Sequence, residues 1–323
     1  MKKFKEIPIV KKIGFNRIAL AGVLILLYFL FSLGSGRILG KDDIMNILNS
    51  VDFMGFLAIG VTFVIATGGI DFSIGPVMYC AALVSGTLLV KCNWPLWLCL
   101  LVCILVGLCF GAFNGLMVAY MRLPSFISSM ASMRIAQGIG SLVTRSAGIS
   151  WPISGEANDW YRKLVKWNGF PTGLVILLII AIVCAIILNR TRIGRYILCI
   201  GSNREAVRLS GVDTRKWEAL AYMICGTLVG IAAIMYVAVN TKVTTSGGDS
   251  FNNNAIAACV MGGTSMSGGV ASVAGSFIGI IIIALLRVGI SAMKFSPDWQ
   301  YIITGAIVAL AVFTDIRSSA RKK

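Results

Sequence analysis

Asn189–Lys216 reads NRTRIGRYILCIGSNREAVRLSGVDTRK and is the longest hydrophilic run with membrane-length apolar segments on both sides. It carries nine charges, Arg190, Arg192, Arg195, Arg204, Glu205, Arg208, Asp213, Arg215 and Lys216, of which seven are positive. Lysine and arginine next to a span resist translocation, so a short basic loop is held on the cytoplasmic side. Inside it, Ser202-Asn203-Arg204-Glu205 fits a capping box: the Ser202 hydroxyl accepts from the amide three residues on, and Glu205 reaches back to the first free amide. Ala206, Val207 and Leu209 form a small apolar side, and Gly211 is placed to end the helix in a left-handed conformation. A helix of about two turns needs packing to persist in water. It either rests on its own membrane domain as an amphipathic surface helix or docks a cytoplasmic partner.

Apolar stretches long enough to cross a bilayer recur along the whole chain. With 57% hydrophobic and 13% charged residues and a mean hydropathy of +0.86, the composition is that of an integral membrane protein. The reading is an all-α polytopic membrane protein with one permease-like domain over residues 1–323. The net charge of +16 falls in short loops beside spans, where orientation and anionic lipid explain it without nucleic acid. Nine cysteines form no CxxC, and Cys99, Cys103, Cys109, Cys184 and Cys259 sit in apolar runs as small hydrophobes. The chain has no histidine, which argues against a zinc site or a histidine-based triad and leaves no metal site expected.

The basic start, residues 1–17, leads into apolar Ile18–Leu33 without a clean cleavage site, so a first span with a cytoplasmic N-terminus is expected. Polar Gly34–Val51 is expected outside. Phe53–Thr67 then runs into Gly68-Gly69-Ile70-Asp71-Phe72-Ser73-Ile74-Gly75-Pro76. This is either a tight turn at the cytoplasmic surface or a broken segment at membrane depth. Irregular backbone at that depth is tolerated only where protein or a water-filled cavity covers it. In the second case Gly68, Gly69, Asp71, Ser73 and Gly75 shape a pathway, with Asp71 facing polar groups.

After Ile74–Val90, the span Trp94–Val118 carries Cys99, Cys103, Gly107, Gly111 and Gly115 every four residues, a small-residue stripe for close helix contact. Asn114 beside it is placed to bond across helices and joins the pathway set. Pro124–Val143 is polar on two faces, Ser125, Ser128, Ser129 and Ser132 on one and Arg134, Gln137, Gly138 and Ser141 on the other. An arginine near mid-helix costs about 2.5–3.5 kcal/mol, so this helix is expected inside the bundle. Arg145–Phe170 reads as an external loop with Trp151, Trp160 and Trp167, either anchoring at the headgroups or receiving a partner.

Thr172–Leu188 precedes the basic loop, and Trp217–Val239 follows it with Gly226 and Gly230 four apart. Polar Thr241–Asn254 is expected outside. Ala255–Met261 meets a second glycine-rich break, Gly262-Gly263-Thr264-Ser265-Met266-Ser267-Gly268-Gly269, where Gly262, Gly263, Thr264, Ser265 and Gly268 complete the pathway set. Ala271, Gly275 and Gly279 continue as a packing stripe, Trp299–Val312 is the last span, and basic 315–323 is a cytoplasmic tail. Ala58–Gly75 and Ala255–Gly268 share an order of Ala-Ile, apolar run, Gly-Gly, polar residues and Gly, which points to an internal duplication around a central pathway. The count is about ten spans, within roughly eight to eleven.

Three motifs in order resemble the sugar-importing ATP-binding-cassette permeases of the ribose, galactoside and xylose type. Gly201-Ser202-Asn203-Arg204-Glu205-Ala206-Val207-Arg208-Leu209-Ser210-Gly211-Val212 resembles that family's coupling loop. Thr67–Gly75 is similar to its T-G-G-I-D-L-S-V-G signature, with Phe72 and Ile74 in place of Leu and Val, and Gly262–Gly269 matches G-G-T-S-x-x-G-G. The stretch Asn114–Ile127 also follows the family, but Ser129-Met130-Ala131-Ser132 replaces its Thr-Leu-Gly-Thr. The resemblance implies a coupling role for Arg204, Glu205, Ala206, Arg208, Leu209 and Gly211 in the groove of an ATP-binding subunit. It also implies a second permease copy, identical or different, and an extracytoplasmic solute-binding protein, in a bacterial cytoplasmic membrane. ATP and Mg belong to the partner ATPase; this chain has no cofactor, and no Walker motif occurs in it. A self-contained ion-coupled transporter is the alternative. Its candidate titratable groups are few, Asp52, Asp71 and Arg134, and it leaves the docking loop unexplained.

Overall fold

In the computed structural model, which describes residues 15–36, 39–245, 247–296 and 298–320, the chain folds into a helical bundle. The expected cytoplasmic N-terminus falls mostly on residues 1–14, and the end of the basic tail on 321–323, both outside the described residues. The helices are α1 (Phe15–Gly34), α2 (Lys41–Ala66), α3 (Ile74–Val90), α4 (Leu96–Gly115), α5 (Ser125–Thr144) and α6 (Thr172–Arg190). They continue as α7 (Arg192–Leu209), α8 (Thr214–Val239), α9 (Asp249–Met261), α10 (Val273–Ala292) and α11 (Asp298–Ala320). Helices dominate because an apolar run with no water around it satisfies its amides and carbonyls only within itself. The chain is an all-α membrane protein. By length and apolarity α2, α4 with its extension to Tyr120, α6, α8 and α10 are long enough to cross a bilayer, and Leu20–Gly34 and Ile74–Val90 are shorter apolar helices.

α2 and α8 are the central pillars. Every residue of α2 from Val51 to Ala66 is buried, whereas α6 shows Ile179, Ile182 and Ile186 on its outer face, as a peripheral membrane helix does. The small-residue stripe of α4 lies against α8. A Cβ at Gly107 would sit 2.6 Å from the Gly230 nitrogen, one at Gly111 2.5 Å from the Tyr222 carbonyl oxygen and one at Gly115 2.9 Å from that of Ala219. In lipid, where no hydrophobic drive joins helices, such backbone proximity supplies the dispersion contacts that hold a pair together. Gly275 and Gly279 of α10 face Gly262 and Ala258 in the same way, while Ala271 precedes that helix.

Several expectations are revised. Gly34–Val51 is not simply a polar loop: α2 starts at Lys41, with the Asp43 carboxylate accepting from the Gly40 amide at 2.9 Å. Asp43, Asn46, Asn49 and Ser50, on the first turns of that helix, face a cavity. α4 stops at Gly115 and passes into a π-helical turn, Leu116–Tyr120. α5 is not enclosed on all sides. Ser128, Ser129 and Ser132 are buried, while Ile127, Arg134, Ile139 and Leu142 are exposed. Trp151 is no interfacial anchor; it is 1% exposed, its Nε1 donating to the Ala82 carbonyl at 3.2 Å. It follows a two-residue ribbon, Ile149–Ser150 paired antiparallel with Lys242–Val243, that clips the end of α8 to the 145–170 segment. Trp160 and Trp167 stay exposed.

Candidate functional site

Asn189–Lys216 is not a loop with a short helix but mostly helix. α7 runs from Arg192 to Leu209 and is bent at Asn203, whose φ of −158° and ψ of 94° leave helical space. Thr191 caps its start. The second half has its own cap, but one residue later than the sequence suggests: the Asn203 side-chain oxygen accepts from the Ala206 amide at 3.0 Å, and Ser202 belongs to the preceding turn. Glu205 makes no return bond to an amide. It pairs with Arg208, whose Nε donates to it at 3.0 Å, which holds the Glu205 carboxyl below its ordinary range and raises the Arg208 guanidinium. Gly211 has φ of +83° and ends the helix as expected. Glu205, Ala206, Arg208, Leu209 and Gly211 are exposed, and Leu209, at 74%, is an apolar side chain in the open. Arg204, also exposed, reaches back to α8 in an ion pair of 2.7 Å with Glu218, a 7% exposed carboxylate.

The foot of this bent helix stands on both glycine-rich segments. Between α2 and α3, residues 67–73 are not helical, and between α9 and α10 neither are 262–272. The Gly269 amide donates to the Ala66 carbonyl at 3.0 Å. A Cβ on Gly201 would overlap that same carbonyl oxygen, and one on Gly268 would lie 2.8 Å from the Gly68 nitrogen and 2.9 Å from the Gly201 Cα. Gly268 also has φ of +80°, so it is a glycine for conformation as well as for space. Three backbones meet here with no side chain between them. Gly262 packs on Gly275, whereas Gly263, with φ of +88°, has open space around it.

From this junction residues 67–73 lead to a buried polar cluster. Asp71 is 3% exposed, Ser73 2% and Asn114 1%. The Ser73 amide and hydroxyl donate to Asp71 at 2.8 and 2.6 Å, and Asn114 Nδ2 donates to the Ser73 hydroxyl at 2.9 Å. The Asn114 oxygen accepts from Ser132, so one amide joins α4, α5 and the irregular segment. Asn252 of α9 holds the far end, accepting from the Gly75 amide at 2.7 Å and donating to the Phe72 carbonyl at 2.6 Å. Asp71 therefore faces polar groups, but it is sealed in this conformation. Thr264 and Ser265 are buried too; Thr264 accepts from the Ser272 amide at 3.3 Å.

At the opposite end of the bundle is a cavity of 550 Å³ between the first half of α2, the last turn of α8 and the ends of α9 and α10. Phe53, Tyr79, Tyr236 and Phe251 form one of its walls, with Phe53 edge-on to Tyr236 at 5.1 Å and to Phe251 at 5.2 Å. The Tyr79 and Tyr236 hydroxyls are hydrogen-bonded to each other. Asn46, Asn49, Asn240 and Arg287 line the same space. None of these residues stood out in the sequence, because Phe53, Tyr79 and Tyr236 sit in apolar runs, Phe251 lies in a polar stretch, and the set comes from five separate helices.

The chain matches the family described as branched-chain amino acid transport system / permease component over residues 44–312. The xylose transport system permease protein XylH of Escherichia coli (strain K12) is 30% identical, across 94% of this chain and 92% of its own length. The ribose import permease protein RbsC of the same organism is 30% identical, across 85% of each. RbsC of Haemophilus influenzae is 31% identical, across 90% of each. No solved structure matches.

Proposed function

The chain belongs to the branched-chain amino acid transport system / permease component family, and from that membership we propose that it is the membrane subunit of an ATP-binding-cassette importer for a monosaccharide or similar solute. The functions for which its relatives are named, xylose and ribose transport, favour a pentose. The observation that carries the reading is α7, a helix whose outer half presents Leu209 to the surroundings while its inner half rests on both irregular segments. A separate ATPase bound to Glu205, Ala206, Arg208, Leu209 and Gly211 would move both segments through that foot, shifting the population between inward- and outward-open states. ATP and Mg reside on that subunit.

In this reading the chain crosses the bacterial cytoplasmic membrane ten times, counting α9 as a short crossing and α7 as a surface element, which returns both termini to the cytoplasm. Residues 67–73 and 262–272 are two glycine-rich breaks, related by the order of Ala-Ile, apolar run and Gly-Gly that Ala58–Gly75 and Ala255–Gly268 share. Gly68, Gly69, Asp71, Ser73, Gly75, Asn114, Gly262, Gly263, Thr264, Ser265 and Gly268 set where the path opens below the cavity. A second permease copy and an extracytoplasmic binding protein complete the assembly, the latter landing on the end that carries the 149–150/242–243 ribbon. Asp52, the buried candidate of the ion-coupled alternative, is 1% exposed against Gly173 at the start of α6, with neither carboxylate oxygen hydrogen-bonded among the described residues; it is the family membership that favours the importer.

A mild-detergent pull-down of the tagged chain from its native membrane tests this. The expected result is a co-purifying ATP-binding subunit, lost in Leu209→Asp while the chain still runs as a monodisperse species. A chain that purifies alone and drives ion-dependent uptake in liposomes overturns it.

A further inference from the structure

A second cavity, of 370 Å³, lies beside the segment between α5 and α6. It is lined by Arg162, Lys163, Lys166 and Trp167 of that segment, together with Asn49 of α2 and the end of α8. We infer that it holds the phosphate of an anionic phospholipid from the leaflet around this end of the bundle. The inference goes beyond the importer reading, on which only the choice of the outer leaflet rests.

The basic side chains stand on an anchored turn. Asp159–Leu164 is a 3-10 helix, and two hydrogen bonds tie it and the residues after it to the start of α6. The Thr172 hydroxyl donates to the Lys163 carbonyl at 2.6 Å, and the Gly173 amide donates to that of Val165 at 3.1 Å. Val165 and Tyr161 are buried beneath the turn, the Tyr161 hydroxyl donating to the Pro152 carbonyl at 2.9 Å. Above them Arg162 is half-buried, and Lys163 and Lys166 are exposed. Asp159 also lines the cavity, but its carboxylate accepts from the Gly155 amide at 2.9 Å, and nearby Glu156 accepts from the Ile153 amide at the same distance. Among the described residues no ion pair holds Arg162, Lys163 or Lys166. Three cations against one committed acid leave the cavity positive.

Lysine and arginine beside a span resist translocation, so three of them within five residues of an external segment call for a use on that side. A guanidinium fork meets two oxygens of a phosphodiester, and lysines add point charges. The carboxamides of Asn49 and Asn168, also on the cavity, suit headgroup hydroxyls. The surroundings mark the ligand as lipid rather than a free anion. Trp160, Trp167 and Phe170 are exposed on the same segment, and aromatic rings of this kind collect at headgroup level. Directly after them α6 carries Val175, Ile179, Ile182 and Ile186 exposed down one face, a surface on which acyl chains can lie. The phosphate-binding groups and the apolar stripe are thus joined at Thr172, where the turn is bonded to the helix.

The test is native mass spectrometry of the full chain released from nanodiscs of equal phosphatidylglycerol and phosphatidylcholine. The first lipid retained should be phosphatidylglycerol, enriched roughly tenfold, the scale of one or two contacts between a cation and an anionic headgroup. The triple variant Arg162→Gln, Lys163→Gln, Lys166→Gln should abolish the enrichment. Lys166→Gln alone changes one exposed side chain and leaves the anchors of the turn in place. It should reduce the enrichment roughly threefold, and it keeps the test open should the triple variant fail to fold. Inorganic phosphate in large excess should leave the lipid bound. No enrichment, enrichment unchanged in the variants, or displacement of the lipid by phosphate overturns the site. So does a variant that keeps its lipid but loses an extracytoplasmic partner in the pull-down, which would make the cluster a protein contact. Co-purification of the ATPase is read separately: an ATPase without lipid enrichment sinks the site and leaves the importer, and enrichment without an ATPase does the reverse.

Discussion

Asn114 is the residue on which the polar interior turns. Its amide satisfies Ser73 and Ser132 at once and reaches toward Asp71, all of them buried. Removing it orphans several buried groups, each worth about 1–3 kcal/mol. Asn114→Leu should therefore lower the melting midpoint of the purified chain by several degrees more than Ser129→Ala, whose hydroxyl bonds only within its own helix; equal midpoints would refute the hub. The cap at Asn203 is a second residue-scale claim. Asn203→Ala removes the bond to the Ala206 amide and should cost the outer half of α7 about 0.5–2 kcal/mol, read as faster hydrogen exchange at Ala206. Ser202→Ala should leave that exchange unchanged. The sequence placed a cap in this stretch but one residue early. The helix from Arg192 persists through Ser202 because Gly201 and Ser202 are pressed against residues 66 and 269, a contact more than sixty residues away along the chain.

At the scale of elements, two joints decide behaviour. The α4–α8 joint was legible as small residues four apart on both helices, since a stripe repeated down one face has few other uses in lipid. Gly111→Leu puts a side chain where the Tyr222 and Gly226 backbones already lie and should destabilise by roughly 4 kcal/mol or more, seen as loss of the monodisperse protein. The α7–α8 joint was not legible. The resemblance places Arg204 among the coupling residues; in the structure it pairs with Glu218, fourteen residues on at the start of α8. Breaking that strut without touching the exposed face separates docking from transmission. Glu218→Gln should keep the ATPase bound and reduce ATP-driven solute uptake roughly tenfold, within the usual span of coupling energies. Unchanged uptake would mean that the backbone contacts at Gly201 suffice.

For the whole molecule, the native cysteines report the topology. Cys92, in the turn after α3, and Cys199, on the inner half of α7, are both exposed and belong to opposite ends of the bundle. With single-cysteine variants, a membrane-impermeant maleimide on intact cells should label Cys92 at once and Cys199 only after permeabilisation; the reverse order would invert the topology. What the sequence determined by itself is local in origin: apolar length, the glycine stripes and the two glycine-rich segments follow from residues adjacent along the chain or one helical turn apart. That sufficed for an all-α membrane protein and for a capped helix ending at Gly211 between Asn189 and Lys216. Only the tertiary structure brought Ala66, Gly201 and Gly269 to one point, paired Arg204 with Glu218 and assembled Phe53, Tyr79, Tyr236 and Phe251 around a cavity. Those contacts join residues far apart in the chain, and in a bilayer, where nearly every span is apolar on all sides, hydrophobic periodicity does not mark which face of a helix turns inward.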